Sequence, residues 1–135
     1  MPFVLDASVT ACWALWDEDH PVADFARTRL LDEEAVVPSL WWFEVRNLLI
    51  VNERRGRLTA GDSLSFLREL DRLGIIQDRM PVESELLRLA RAHRLSVYDA
   101  AYLELASRTR AKLATLDKAL VLAARQESVA LLGTE

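Results

Sequence analysis

Phe3-Val4-Leu5-Asp6-Ala7-Ser8-Val9 is the stretch from which the rest of the chain is read. Three apolar residues run without alternation into an acid. A run of that kind suits a short strand buried on both faces, as in a parallel sheet. From Val9 the period changes, and Val9, Cys12, Trp13 and Trp16 recur at helical spacings of three and four. The same order of strand, acid and helix returns at Lys112–Leu116, Asp117 and the short helical stretch behind it. Further strands are expected at Ala35-Val36-Val37, stopped by Pro38, at Ile75-Ile76, and at Val129–Leu132. Helices fill the intervals. Pro21 opens one with Phe25, Leu30 and Leu31 on its apolar side, and Ser39 is expected to cap a long one reaching about Arg55. Thr59-Ala60-Gly61-Asp62 reads as a capping box with Asp in place of Glu, heading a helix with Leu64, Leu67, Leu70 and Leu73 that Gly74 ends. Pro81 opens a helix carrying Leu86, Leu89 and Ala90, and Ser96 caps another reaching about Arg110. Strands separated by helices define an α/β domain with a small, mostly parallel sheet flanked by helices. In such sheets ligands gather at the carboxyl ends of the strands.

The bulk properties agree with one domain over 1–135. A chain of 135 residues can bury roughly two-thirds of its unfolded surface. It therefore folds without a disulfide or structural metal, and the single cysteine, Cys12, permits no internal disulfide. A hydrophobic fraction of 51% with four Gly and four Pro excludes disordered and collagen-like classes. The apolar runs Leu48–Val51 and Ala119–Ala124 are too short to span a membrane, and Asp6 comes too early for a signal peptide. A cytoplasmic protein with no membrane association is expected. The net charge of −4 argues against a nucleic-acid binder on its face. Yet of 17 basic residues all but Lys112 and Lys118 are Arg, whose planar fork suits phosphate and carboxylate.

Four acids stand out from the 21. Asp17, Glu18, Asp19, Glu33 and Glu34 fall in polar loops and read as solvated. Asp6 and Asp117 end strands and would project into the crevice, although each could simply cap the helix after it. Glu44 shares its helix face with Leu40, Trp41 and Leu48, where a carboxylate must be paired, neutralised or bound to metal. A distant arginine is the alternative partner. Asp99 lies three residues after Ser96 and could complete a capping box, but Tyr102, Leu103 and Ala106 place it on the apolar side. Four converging carboxylates would resist joint ionisation and call for a cation. Oxygen-only donors suit Mg²⁺ or Mn²⁺. His20, in a loop before Pro21, and His93, between Arg91 and Arg94 on a helix face expected to be wet, do not suggest zinc.

At these residues the sequence resembles the PIN-domain ribonucleases, and within them the VapC-type toxins of VapBC toxin–antitoxin pairs. Four segments carry the resemblance: Phe3–Val9, Trp42-Phe43-Glu44-Val45-Arg46-Asn47, Ser96-Val97-Tyr98-Asp99-Ala100-Ala101-Tyr102 and Leu113–Leu120. It spans essentially the whole chain. It implies a PIN-like three-layer fold and a Mg²⁺- or Mn²⁺-dependent endoribonuclease cleaving single-stranded or loop RNA. It implies a VapB-type antitoxin that neutralises the toxin, and a homodimer that forms a heterotetramer or larger assembly with it. Asp6, Glu44, Asp99 and Asp117 match the family's catalytic, metal-binding acids. Thr115 matches a supporting hydroxyl residue, and Ser8 and Asn47 match polar positions near the site. The chain departs from the family at Gln126-Glu127-Ser128, where a glycine-containing turn is common.

Other readings of the same residues are a catalytically inactive PIN-like module binding RNA or protein, and another Mg²⁺-dependent phosphate-handling α/β domain. Asp6-Ala7-Ser8 is not the Asp-x-Asp of haloacid-dehalogenase-type phosphatases, and no phosphate loop of the Gly-Lys-Ser/Thr kind occurs. Of the four tryptophans, Trp13 and Trp41 fall on apolar faces. Trp16 or Trp42 is expected to line a dimer or antitoxin interface. Arg54-Arg55-Gly56-Arg57 reads as a solvated helix end that could also meet phosphate, and Arg88, Arg91 and Arg94 as a wet face.

Overall fold

The computed structural model describes residues 1–15, 17, 18 and 20–133. Among these residues four strands form one sheet: β1 (Phe3–Leu5), β2 (Ala35–Val37), β3 (Ile76–Gln77) and β4 (Lys112–Ala114). Their spatial order is β3-β2-β1-β4, and every pairing is parallel. Strand β1 is thus internal, and Phe3, Val4 and Leu5 are all buried, as an unalternating apolar run requires. Among the described residues, seven helices flank the sheet: α1 (Ala7–Cys12), α2 (Pro21–Arg29), α3 (Leu40–Arg54), α4 (Ala60–Asp71), α5 (Glu83–His93), α6 (Val97–Thr109) and α7 (Lys118–Gln126). Helix α6 packs against β1 and β4, with Tyr102, Leu103, Leu105 and Ala106 almost wholly buried. Among the described residues, no helix is long and apolar enough to cross a membrane.

Several local expectations hold, and others are corrected. Thr59 and Asp62 complete a reciprocal capping box, with bonds of 2.9 and 3.0 Å. Ser39 does not cap α3 through its side chain, because its own backbone is already helical (φ −58°, ψ −31°). A side-chain cap needs an extended backbone at that position. Helix α1 ends at Cys12, and Trp13 is tied instead to α2 by a 2.9 Å bond from its indole N–H to the Ala23 carbonyl. Trp16 lies outside the described residues.

The expected last strand, Val129–Leu132, shrinks to a single bridge between Leu131 and Leu113. Strand β4 is too short to offer more, because the chain leaves the sheet after Ala114 rather than after Leu116. The turn preceding that bridge has Ser128 at φ +59°, the left-handed conformation glycine adopts most easily. Contacts from α5 hold it. His93 is not on a wet face; its side chain is only 8% exposed and bonds Glu127 and Gln126. Arg88 likewise bridges Glu85 and Glu127.

Candidate active site

Adjacent parallel strands in register put their ends side by side. Leu5 of β1 pairs with Ala114 of β4. Asp6 therefore follows β1 close to Thr115, which follows β4. Thr115 Oγ1 donates to Asp6 Oδ2 at 2.6 Å and accepts from the Asp117 N–H at 3.1 Å. Ser8 makes the parallel link: its hydroxyl donates to Asp6 Oδ2 at 2.8 Å and accepts from the Leu116 N–H at 3.2 Å. These bonds explain why β4 stops at Ala114, since Thr115 and Leu116 turn to serve the site.

The structure separates the two strand-end acids that the sequence left equivalent. Asp6 occupies the cap position of α1 but makes no side-chain cap bond. Its carboxylate is buried and held by hydroxyls. Asp117 does cap its helix, accepting from the Ala119 N–H at 2.9 Å and the Leu120 N–H at 3.4 Å. Capping does not exclude a second role, because Asp117 also borders the cavity described next.

Glu44 and Asp99 reach the same place from helices α3 and α6. Glu44 is half-buried, and its partner is a phenol rather than an arginine: Tyr102 Oη donates to Glu44 Oε1 at 2.5 Å. Ser96 caps α6 by accepting from the Asp99 N–H at 3.0 Å. One open cavity of about 600 Å³ is bordered by all four acids, together with Ser8, Asn47, Phe43 and Arg55. Among the described residues, no ion pair joins an arginine, lysine or histidine to any of the four.

The electrostatics follow from burial without counter-charge. Burial pushes Asp6 above the ordinary carboxylate range; bonds from Thr115 and Ser8 oppose that, and Asp99 adds to it. Glu44 is also raised, first by burial and then by Asp6 and Asp99, against the lowering bond from Tyr102. Asp99 is raised by burial and by the charge of Asp117. Tyr102 is held well above its usual range by burial and by Asp6 and Glu44, so it stays a neutral donor. An all-oxygen, mutually repelling donor set fits a hard divalent cation. It does not fit zinc chemistry.

Sequence reasoning missed the contribution of Tyr102, although its place one turn after Asp99 on the same face is a readable signal. It also missed a second grouping on the cavity wall. Glu18 is not a solvated loop acid: Arg57 and His20 both bond it, and they hold its carboxyl below the usual range. Arg57 also bonds Asp17 and Asn52, so it is an anchored residue rather than a free helix-end cation.

With the fold and groove in view, the likeness to known proteins is specific. The PIN domain family matches residues 3–126. This chain belongs to that family. It is also similar to Ribonuclease VapC3 of Pyrobaculum aerophilum, 32% identical over 123 residues, which cover 89% of this chain and 92% of that protein. Within the PIN-domain family it is a VapC-type member. The fold agrees with the crystal structure of PAE2754 from Pyrobaculum aerophilum, at a TM-score of 0.70 and 24% identity over 91% of this chain and 84% of that one.

Proposed function

We propose that the chain is a divalent-metal-dependent endoribonuclease toxin of the cytoplasm, acting on single-stranded or loop RNA and neutralised by a cognate VapB-type antitoxin. One observation carries the reading: four carboxylates border a single open groove with hydroxyls, a phenol and backbone amides as partners, and among the described residues no basic side chain forms an ion pair with them. A fold maintains such repulsion only at a cost in stability, and sites that do so are disproportionately functional.

Asp6, Glu44, Asp99 and Asp117 would hold Mg²⁺ or Mn²⁺. A bound divalent ion supplies an activated water and offsets charge on the attacked phosphate and departing oxygen. Thr115 and Ser8 fix the rotamer of Asp6, and Thr115 ties Asp117 to it, so the two strand ends act as one rigid unit. Tyr102 fixes Glu44 in the same way. A carboxylate oxygen of Asp6 or Glu44 left free by the ion would be placed to accept a proton in the groove. Asn47, exposed at the rim, and Arg55 line the path along which an RNA backbone would lie.

A homodimer and an antitoxin complex, a heterotetramer or larger, are part of the same proposal. Trp42 and Phe43 are exposed on α3, stacked edge to face at 5.0 Å, and Arg46 lies 3.8 Å over Trp42. An exposed aromatic pair beside the groove is a natural anchor for a partner chain.

The test incubates purified protein with single-stranded RNA, with Mg²⁺, with Mg²⁺ plus chelator, and with Asp6→Asn. Cleavage that depends on the metal and on Asp6 supports the reading. Cleavage that survives both chelation and the substitution would falsify it. A Trp42→Ala protein that dimerises and binds antitoxin unchanged would remove that surface from the interface.

A further inference from the structure

On the wall of the same groove, away from the four acids, three side chains of different chemistry converge. Cys12 ends α1, Glu18 belongs to the segment that follows, and His20 precedes α2. A sulfur, a carboxylate oxygen and an imidazole nitrogen from these residues all lie within 4.8 Å of one another. Among the described residues, this is the compact grouping of metal-ligating atoms in the fold. We propose that Cys12, Glu18 and His20 form a binding site for a borderline-soft divalent cation, Zn²⁺ by its donor chemistry, distinct from the carboxylate centre. The proposal does not rest on the nuclease reading.

The donor set argues for this ion. Thiolate, imidazole and carboxylate together suit zinc, and three protein ligands with an open position make a familiar zinc stereochemistry. A hard ion such as Mg²⁺ would not choose sulfur. The geometry is nearly assembled. Glu18 Oε2 and His20 Nε2 are already 3.2 Å apart. Ligand atoms around tetrahedral zinc stand roughly 3.3–3.6 Å apart. The Cys12 sulfur lies within 4.8 Å of both atoms, so a side-chain rotation is the adjustment that would close the site. The second carboxylate oxygen is held from behind, since Arg57 donates to Glu18 Oε1 at 3.0 Å. Arg57 in turn bonds Asn52 of α3, so Glu18 is oriented by a fixed helix. An outer partner of this kind sets the direction of a ligating side chain.

Binding exchanges a proton for the metal. The Cys12 S–H, now donating to the Ser8 carbonyl at 3.4 Å, releases its proton to solvent as the sulfur–metal bond forms. Burial and the nearby Glu18 and Asp24 raise the free thiol to about 11, so an unliganded Cys12 is a poor nucleophile. A filled site would clip Glu18 and His20 onto the end of α1. Leu15, Glu18 and His20 border the groove, and α1 begins beside Asp6.

Because Cys12 is the sole cysteine, an optical probe assigns itself. Co²⁺ is titrated into the full chain, read by thiolate-to-cobalt charge transfer in the near ultraviolet. The expected result is one such site per chain, displaced by Zn²⁺ and not by Mg²⁺. Glu18→Gln and His20→Gln should each weaken it at least ~10-fold, Cys12→Ser should abolish the band, and Asp99→Asn should leave it unchanged. Zn²⁺ should also protect the wild-type thiol from alkylation. Three outcomes overturn the proposal: no thiolate band in the wild type, a band indifferent to both Glu18→Gln and His20→Gln, or a band lost in Asp99→Asn. The first two mean that no three-residue site exists. The third means that the thiol belongs to the carboxylate centre. RNA cleavage is not the readout, so failure here leaves the nuclease proposal standing, and the converse holds.

Discussion

Helix α6 carries two inward carboxylates, Asp99 in its first turn and Glu104 in its middle, and the chain treats them oppositely. Glu104 is 1% exposed and fully engaged. It accepts from Arg108 Nε at 2.8 Å and from the Val82 N–H at 3.2 Å, and Arg108 also binds Asp78. Among the described residues, no arginine forms an ion pair with Asp99. Its charged surroundings are further acids, Asp117 above all. One end of the helix therefore spends a buried acid on holding α5's approach and the end of β3 in place. The other keeps repulsion that stabilises nothing in the free protein. The difference separates an acid paired into the fold from an acid left among like charges better than burial does, since the paired acid is the more buried.

Substitutions on the two ends should split activity from stability. Asp99→Asn is expected to cut RNA cleavage at least ~1,000-fold, about 4 kcal/mol of activation free energy, while the thermal midpoint stays equal or rises. Steady-state cleavage and calorimetry check both halves. A large fall in the midpoint would make Asp99 a structural residue and erase the contrast. Glu104→Gln should do the reverse. Breaking a fully buried pair costs roughly 3–5 kcal/mol; with Arg108 about a third exposed, a loss of about 2–3 kcal/mol is expected in denaturant unfolding. Activity per folded molecule should hold at low temperature.

Thr115→Val keeps the shape and removes the hydroxyl shared by Asp6 and Asp117. A ~10-fold loss, with a higher Mg²⁺ concentration for half-maximal rate, is expected. An unchanged metal requirement would mean the hydroxyl serves only the fold. The smallest effect is on pH dependence. Asp6, Glu44 and Asp99 have folded pKa values above their unfolded ones. Their charged forms are therefore penalised in the native state. The penalty is absent below pH ~4, where native and unfolded forms are both protonated, and grows as pH rises through the raised values. Glu85 and Glu127, held low by Arg88, contribute the opposite slope, lost as pH falls through their depressed values. The metal-free protein should lose thermal midpoint over the interval above the ordinary carboxylate range, and Asp6→Asn should flatten that decline. A midpoint that climbs across the interval would mean the groove acids are paired after all.

The comparison also marks how far the sequence could be read. Asp6 and Asp117 were visible because a strand end is a local pattern, and Glu44 because a helix wheel needs only seven neighbouring residues. Their partners were not. Tyr102 meets Glu44 across 58 residues, and Thr115 meets Asp6 across 109, distances over which periodicity carries no information. The same limit hid Glu104, whose Arg108 at i+4 reads like any surface pair until α6 is known to be buried. It hid His93, whose partners lie on the 126–127 turn. Cys12, Glu18 and His20 are close in sequence, but their spacings of six and two follow no helical period. The last strand failed for another reason: its apolar run was correct, yet β4 ends too soon to pair with it.

The pairing of Leu5 with Ala114 has a consequence for the protein's biosynthesis. The groove joins the chain's sixth residue to its hundred-and-seventeenth, through a strand near one end and a strand near the other. A nascent polypeptide still short of residues 112–117 has neither the neighbour that orders Asp6 nor the fourth acid. A chain terminated before those residues carries at most three of the four groove acids, so the groove is completed only after synthesis has passed Asp117.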